Sequence, residues 1–432
     1  MSVRRLALID CNNFYVSCEQ AFNPALRNRP VVVLSNNDGC VVSRSAEAKQ
    51  AGIPMGIPYF QVRKQLASID GAVLSSNYVL YADMSRRAMR LIAEQFPEQE
   101  IYSIDECFVD LSGLSADQAL IQAFKLKQHL MQCLSLPVSV GIGSTKTLAK
   151  LAASLAKRPG ATGVANFSNP MSPERLAEMR QQPVGEIWGI GRRTTQSLEA
   201  ANVLTVGDLL DKPVSWIRKR YSITLLRTVE ELRGQDQLGL QAAAAPRQQI
   251  IASRSFGHPV YAKSELGEAL ATFVARAAER LRADHSLASI MQIYYNAKDP
   301  AADGDPCADA IILNLPHATD DTRLLIRQAL RGLDEIYQPG LKYKKAGVVL
   351  GGIRSADIRQ PGLTGLYPEA IAPSPIMKLM DHVNQRYGRD TVRIASMGVD
   401  AKAGWHMSCS RRSRRYTTAL EELPVLSTQG IS

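Results

Sequence analysis

Asp10 closes a short apolar run, Leu6-Ala7-Leu8-Ile9, and Asp105-Glu106 lie between Ile101-Tyr102-Ser103-Ile104 and Cys107-Phe108-Val109-Asp110-Leu111. The first run reads as a buried strand, the later pair as a hairpin with Asp105 and Glu106 at or beside its turn. Taken singly, each of these residues is an ordinary solvated turn residue, because acidic side chains favour turns. If strand and hairpin are neighbours in one sheet, three carboxylates converge at one sheet end. Such a cluster repels itself unless cations neutralise it, and hard oxygen donors suit Mg²⁺. Two such ions held by carboxylates stabilise the attacking and leaving oxygens of an in-line phosphoryl transfer.

The surrounding sequence supplies elements able to position them. Val31 to Leu34 is a second apolar strand, followed by the turn-rich Ser35 to Gly39, and Ser45 to Ala51 reads as a helix with Gly52 at its C-terminal cap. Ala82 to Phe96 is amphipathic, with Met84, Ala88, Leu91 and Ile92 on one face. A helix from about Asp117 to Leu134, a strand from Val138 to Ile142 and a helix from Thr145 to Ala156 follow the hairpin. That order is a split βαβ, ferredoxin-like sheet with a long insertion, about residues 13–81, forming a small lobe. Pro159-Gly160 and Asn169-Pro170 mark a boundary, after which residues 172–235 read as short helices. Ala242 to Pro246 is an uncharged linker, and residues 247–355 alternate strands and helices in one α/β domain. Beyond Gly351-Gly352 the chain reads as an extended tail with one amphipathic helix, Ser374 to Tyr387.

Composition narrows the partners. The 432 residues exceed one ordinary domain, and 45% hydrophobic content suits packed cores. Lys and Arg number 51 against 41 acidic residues, a net charge of +10 spread along the chain rather than held in one tail, which favours a polyanion such as nucleic acid. The seven cysteines are scattered with no CxxC pair, as for reduced thiols in the cytoplasm. No apolar stretch reaches the ~18 residues of a transmembrane helix, so no membrane partner is expected. Gly189-Ile190-Gly191, preceded by Ile187 and followed by Arg192-Arg193, Leu198, Thr205 and Asp208-Leu209, has the pattern of a helix-hairpin-helix, whose glycines let backbone amides approach a DNA phosphate.

Asp10-Cys11-Asn12-Asn13-Phe14-Tyr15, Ser103-Ile104-Asp105-Glu106 and Val140-Gly141-Ile142-Gly143 followed by Lys146, Lys150 and Lys157 resemble the Y-family DNA polymerases. Val33 to Val42 and Arg415-Tyr416-Thr417-Thr418 are similar to the UmuC-type catalytic subunits of bacterial DNA polymerase V. The resemblance implies a mixed α/β, right-hand polymerase. Its parts would be a ferredoxin-like palm (1–12 and 82–168), small fingers (13–81), a helical thumb with the helix-hairpin-helix (169–240) and a linker (241–246). An α/β little finger (247–355) and a C-terminal regulatory region (356–432) complete it.

It implies that Asp10, Asp105 and Glu106 bind Mg²⁺ by carboxylate and Cys11 by its main-chain carbonyl. Tyr15, beside Phe14, would be the steric gate that excludes ribonucleotides, and Lys157 would reach the triphosphate. The family's fingers helix carries a tyrosine and an arginine three residues apart; here those positions are Ala46 and Lys49, and Arg44 is the candidate substitute. DNA contacts are expected at Gly189, Gly191, Arg192, Arg193, Arg254, Lys342, Lys344 and Lys345. The Arg411 to Arg415 run would meet DNA or an acidic partner.

The implied activity is error-prone translesion synthesis in the SOS response: deoxynucleoside triphosphates added to a primer-template opposite damaged bases. Its partners would be a processed UmuD-like dimer and a RecA filament, with a sliding clamp engaged through Leu363 to Tyr367, which lacks the leading Gln of a clamp peptide. Two other readings compete. A nucleotide cyclase needs neither the Phe14-Tyr15 gate nor a basic thumb. A catalytically inactive DNA-binding accessory factor would have no use for all three carboxylates.

Overall fold

The N-terminal apolar run becomes β1 (Leu6–Cys11), every residue of which is buried. In the computed structural model of the chain, the described residues are 4–168, 171–241, 246–300, 305–357, 374–399, 405 and 407–423. The chain divides into two units: residues 1–35, 39–244 and 411–432, and residues 36–38 and 245–410. The linker at 242–245 and the clamp-like segment 363–367 lie outside the described residues.

In the first unit β1 leads into α1 (Phe14–Phe22), then β2 (Val31–Leu34), β3 (Val41–Arg44), α2 (Ala46–Gln50), α3 (Tyr59–Ser68) and β4 (Ala72–Ser75). The chain continues through α4 (Tyr78–Gln95), β5 (Gln99–Ile101), β6 (Glu106–Asp110), α5 (Ala116–Leu134), β7 (Val138–Gly143), α6 (Lys146–Ala156) and β8 (Val164–Phe167). The main sheet has the order β5-β6-β1-β7-β8, with β1 antiparallel to both neighbours and β8 parallel to β7. Its first four strands are the expected split βαβ arrangement, and β8 extends one edge.

Alternation along β1 feeds both faces. Ala7 and Ile9 pack with Met84, Ala88 and Ile92 of α4 and with Ala123, Leu126 and Leu130 of α5, while Leu8 joins Phe108 against Ala149 and Ala153 of α6. Burying a side chain the size of Leu8 or Phe108 contributes about 1.5–3 kcal/mol. The glycines of β7 allow α6 to lie on the sheet. A Cβ on Gly141 would sit 2.1 Å from the Ala149 carbonyl oxygen and from the Ala153 nitrogen.

The insertion folds as a three-stranded sheet, β3-β2-β4, with its own core of Val32, Leu34, Val41, Ala48, Ile53, Val62 and Leu66. Five short helices follow β8: α7 (Pro173–Arg180), α8 (Arg192–Ala200), α9 (Val206–Leu210), α10 (Val214–Arg220) and α11 (Ile223–Leu232). Their apolar sides close over Leu148, Leu151 and Leu155 of α6.

The second unit contains β9 (Ile250–Val260), α12 (Lys263–Ala283), β10 (Ser286–Asp299), β11 (Asp305–Thr319), α13 (Thr322–Ile336), β12 (Lys342–Gly351), β13 (Arg354–Ser355) and α14 (Pro375–Tyr387). Its sheet runs β11-β10-β12-β9, and α12 and α13 cover one face.

Two sequence expectations change in detail. α4 begins at Tyr78 rather than Ala82, because the Asn77 side chain accepts the Leu80 amide at 3.4 Å and adds a turn. The described parts of the tail are docked rather than extended. Arg282 makes two hydrogen bonds, of 2.6 and 2.7 Å, to Asp381 of α14, and Met397 and Trp405 join the core of the second unit. Residues 411–423 pack on the rest of the first unit, where the Ser75 amide donates to the Arg411 carbonyl at 3.1 Å.

Candidate active site

Pairing of β1 with β6 sets Asp10 directly opposite Glu106, which puts their side chains on one face of the sheet. The next step along β1 brings Asp105 alongside, since the Cys11 amide donates to the Asp105 carbonyl at 2.9 Å. Ser103 shapes the turn before β6. Its hydroxyl accepts the amides of Asp105 (3.2 Å) and Glu106 (3.0 Å) and donates to the Asp105 carboxylate at 2.6 Å. Asp10 and Glu106 are therefore paired at one sheet end, with Asp105 next to Glu106 in the chain.

The electrostatics there are strained in a useful way. Asp10 is only 5% exposed. Burial, helped by its hydrogen bond with Glu106, pushes its carboxyl up to about 7 against the opposing charge of Lys157. Burial also acts upward on Glu106, but its hydrogen bonds with Asp10 and Lys150 and the Lys150 charge outweigh it and hold that carboxyl below the usual range. Lys157, at the C-terminal end of α6, forms an ion pair with Asp10, and Lys150 forms one with Glu106 at 2.9 Å. The Lys150 ammonium also lies 4.4 Å from the Tyr102 ring centre and 5.1 Å from that of Trp188.

These lysines reach the carboxylates because α6 rests on Gly141 and Gly143. Among the described residues no group of three or more His, Cys, Asp and Glu side chains is arranged as a formed metal site. The donor set nonetheless fits a hard divalent cation: all its members are oxygens, and two of the carboxylates already hold cationic groups.

Phe14 is buried and Tyr15 half-buried at the start of α1, which Asn13 opens from a left-handed conformation (φ 49°). The Tyr15 ring stacks on Tyr81 with centres 4.4 Å apart and planes 14° from parallel, and Tyr78 meets it edge-on at 6.0 Å. Burial, then Tyr78 and Asp105, push the Tyr15 phenol up. Burial and then the neighbouring Arg44 and Lys157 depress the Lys49 ammonium, against the pull of Asp10. Arg44 ends β3, Lys49 lies on α2, and the Arg44 guanidinium donates to the Ile53 carbonyl. Lys49 thus feels the charges of Arg44, Lys157 and Asp10, and Ala46 is exposed at the start of α2.

The helix-hairpin-helix pattern folds as expected. Gly189 takes φ +88°, Gly191 caps α8, Arg192 and Arg193 are exposed, and a Thr205–Asp208 capping box opens α9. In the second unit Lys344 is exposed at a register shift of β12. Lys345 sits over the Tyr294 ring at 5.8 Å. Arg254 differs: its guanidinium turns to Phe273 of α12, 6.0 Å from the ring centre, on the helix-covered face. Strand parity, with buried Ala252 and Phe256 on either side of it, carries that signal.

Sequence reasoning missed Tyr78 and Tyr81. The available sign was Asn77 as a helix cap followed by tyrosines three apart. It also missed Glu19, buried on α1, which accepts a 2.7 Å hydrogen bond from Tyr81. The basic run at 411–415 is docked: Arg411 lies over the Tyr59 ring at 5.3 Å and Arg415 pairs with Glu422 at 2.7 Å.

Residues 9–154 match the impB/mucB/samB family, residues 247–363 the C-terminal domain of that family, and residues 374–426 a domain of unknown function, DUF4113. The chain is 39% identical to the UmuC protein of Salmonella typhimurium over 96% of its length and 99% of that protein. It is 39% identical to the ImpB protein of the same organism over 97% and 99%. DNA polymerase IV of Moorella thermoacetica is 27% identical over 90% and 95%. Among solved structures, a Y-family DNA polymerase chimera superposes with a TM-score of 0.65 at 18% identity, covering 81% of this chain and 99% of that one. DinB from Sulfolobus solfataricus gives 0.52 at 18% identity, covering 80% and 98%.

Proposed function

The chain belongs to the impB/mucB/samB family, the UmuC-type branch of the Y-family DNA polymerases, and we propose that it extends primers past damaged template bases as an error-prone, Mg²⁺-dependent DNA polymerase of the DNA damage response. One observation carries the reading: Asp10 and Glu106, paired across β1 and β6 with Asp105 next in the chain, each form an ion pair with a lysine of α6 or its end, Lys157 and Lys150.

Asp10, Asp105, Glu106 and the Cys11 carbonyl would hold Mg²⁺, which supplies activation of the primer hydroxyl and neutralises charge on the leaving pyrophosphate. The Asp10 carboxyl, pushed up by burial, would have to be deprotonated to hold the ion. Arg44, Lys49 and Lys157 grip the triphosphate. Tyr15, backed by Phe14, occupies the space a 2′-hydroxyl would need and so selects deoxynucleotides. Gly189 and Gly191 offer backbone amides to a DNA phosphate beside Arg192 and Arg193. Lys344 and Lys345 contact the duplex backbone from the second unit, a role the inward turn of Arg254 leaves to them. On this reading the first unit comprises palm, fingers and thumb, and the second carries the little finger.

The UmuC-type relatives favour a processed UmuD-like dimer as partner, with a RecA filament stimulating synthesis in the cytoplasm. A sliding clamp would engage residues 363–367. No helix among the described residues is long and apolar enough to cross a membrane.

The test is primer extension past an abasic site with Mg²⁺, deoxynucleotides, RecA filament and the UmuD-like partner, comparing wild type with Asp105→Ala/Glu106→Ala. Extension by wild type alone supports the reading. No extension by either, with DNA binding intact, favours an inactive accessory factor, and equal extension by both removes the carboxylates from the mechanism.

A further inference from the structure

The ring stack behind Tyr15 ends on the last segment of the described chain. Tyr15 stacks on Tyr81, and the Tyr81 hydroxyl donates to Oε1 of Glu19 at 2.7 Å. The same oxygen accepts the hydroxyl of Ser413 at 2.9 Å. Glu19 sits one turn beyond Tyr15 on α1 and is only 1% exposed. Neither hydrogen-bond donor is a cation, so both are needed to offset the loss of water around a buried carboxylate. Ser413 is itself held. The Asn77 side-chain amide donates to its carbonyl (3.2 Å), to its hydroxyl (2.9 Å) and to the Arg414 carbonyl (3.1 Å).

Asn77 is the cap of α4, the helix that carries Tyr78 and Tyr81. Two residues earlier, Ser75 exchanges hydrogen bonds with Arg411, its amide donating at 3.1 Å and its hydroxyl accepting at 3.0 Å. Three residues beyond Ser413, Tyr416 stacks on Phe22, at the far end of α1, with centres 4.9 Å apart and planes 6° from parallel. Residues 411–416 thus grip both helices that supply the aromatic stack, α1 at Glu19 and Phe22 and α4 at its cap.

From this we infer that residues 411–416 are a positioning strap for sugar selection, acting through Glu19 and Tyr81 on Tyr15, and that this is one task of the terminal part of the domain of unknown function. The inference rests on the reading of Tyr15 as the gate. A ring that rejects one hydroxyl works by a fit of about 0.5 Å, so loss of its support relaxes selection before it impairs synthesis.

Single-nucleotide insertion by the full chain with its partners tests it, with deoxy- and ribonucleoside triphosphates compared for Ser413→Ala, Ser413→Thr, Tyr81→Phe and Tyr15→Ala. Removing one such hydrogen bond in Ser413→Ala should raise the ribo-to-deoxy ratio of kcat/KM about tenfold, through a lower ribonucleotide KM, with deoxynucleotide kcat within about twofold of wild type. Tyr81→Phe, which keeps the ring and loses only its hydroxyl, should move the ratio the same way, and Ser413→Thr should restore it. If Tyr15→Ala raises the ratio while Ser413→Ala and Tyr81→Phe leave it unchanged, or lower both activities together, the strap is merely structural and the inference falls alone. If Tyr15→Ala leaves the ratio unchanged, the gate reading and the strap fall together.

Discussion

Asp10 and Glu106 are direct cross-strand partners, and burial pushes the Asp10 carboxyl up to about 7. A divalent cation binds the deprotonated form, so below that pH its binding must expel a proton. Calorimetric Mg²⁺ titrations in buffers of different ionisation enthalpy should show close to one proton released per site near pH 6 and little above pH 8. The Mg²⁺ concentration for half-maximal extension should rise as pH falls through about 7. Proton release that does not vary with pH would contradict the assignment.

Gly141 admits no side chain without moving α6, because a Cβ there meets backbone atoms at 2.1 Å. Gly141→Ala should therefore cost about 3 kcal/mol of stability by overpacking. It should also lower insertion activity by displacing Lys150 and Lys157. Urea unfolding with a parallel insertion assay measures both. An unchanged midpoint would mean the helix yields freely.

Glu19 gives a stability signature of defined sign. Burial raises its carboxyl above the usual glutamate value, against the hydrogen bonds from Tyr81 and Ser413, so the folded protein binds a proton more tightly than the unfolded chain. Wild type should gain stability as pH falls through the raised value and stop gaining below the ordinary one. Glu19→Gln lacks that gain, so the difference between the two proteins should shift in favour of wild type on acidification. Melting temperatures from pH 8 to pH 4 test this, and parallel curves would refute it.

Arg192 and Arg193 are exposed at the start of α8. If both contact phosphates, replacing them with Ala should weaken binding to duplexes of any sequence. It should also reduce the slope of log K against log salt by about 2. Fluorescence anisotropy across a salt series reads the slope, and an unchanged slope would place the DNA elsewhere.

The main sheet and its carboxylates were legible because they are local signals. A buried apolar run ending in Asp10 and a hairpin holding Asp105-Glu106 each announce themselves, and the split βαβ order fixes which strands are neighbours. What escaped depended on side chains meeting across long sequence separations. The first turn of α4 was hidden because Ser75-Ser76-Asn77 reads as loop until Asn77 is recognised as a cap. Arg254 was judged by its charge when its strand parity sets its direction. The basic run at 411–415 reads locally as a contact for DNA or an acidic partner, and only its contacts with Ser75, Asn77 and Glu19 show it to be docked.

The return of the chain at Arg411 to the first unit has a consequence for biosynthesis. The sheet bearing Asp10 and Glu106 can assemble once residues up to about 240 have left the ribosome. Ser413 and Arg414, which complete the hydrogen bonding of Glu19 and Asn77, do not exist until the whole second unit has been translated. For that interval the nascent enzyme holds its acidic cluster without the brace behind Tyr15. A product cleaved after the second unit, ahead of Arg411, would remain in that immature condition. On the strap proposal, proteolysis there would relax sugar selection before it abolished synthesis.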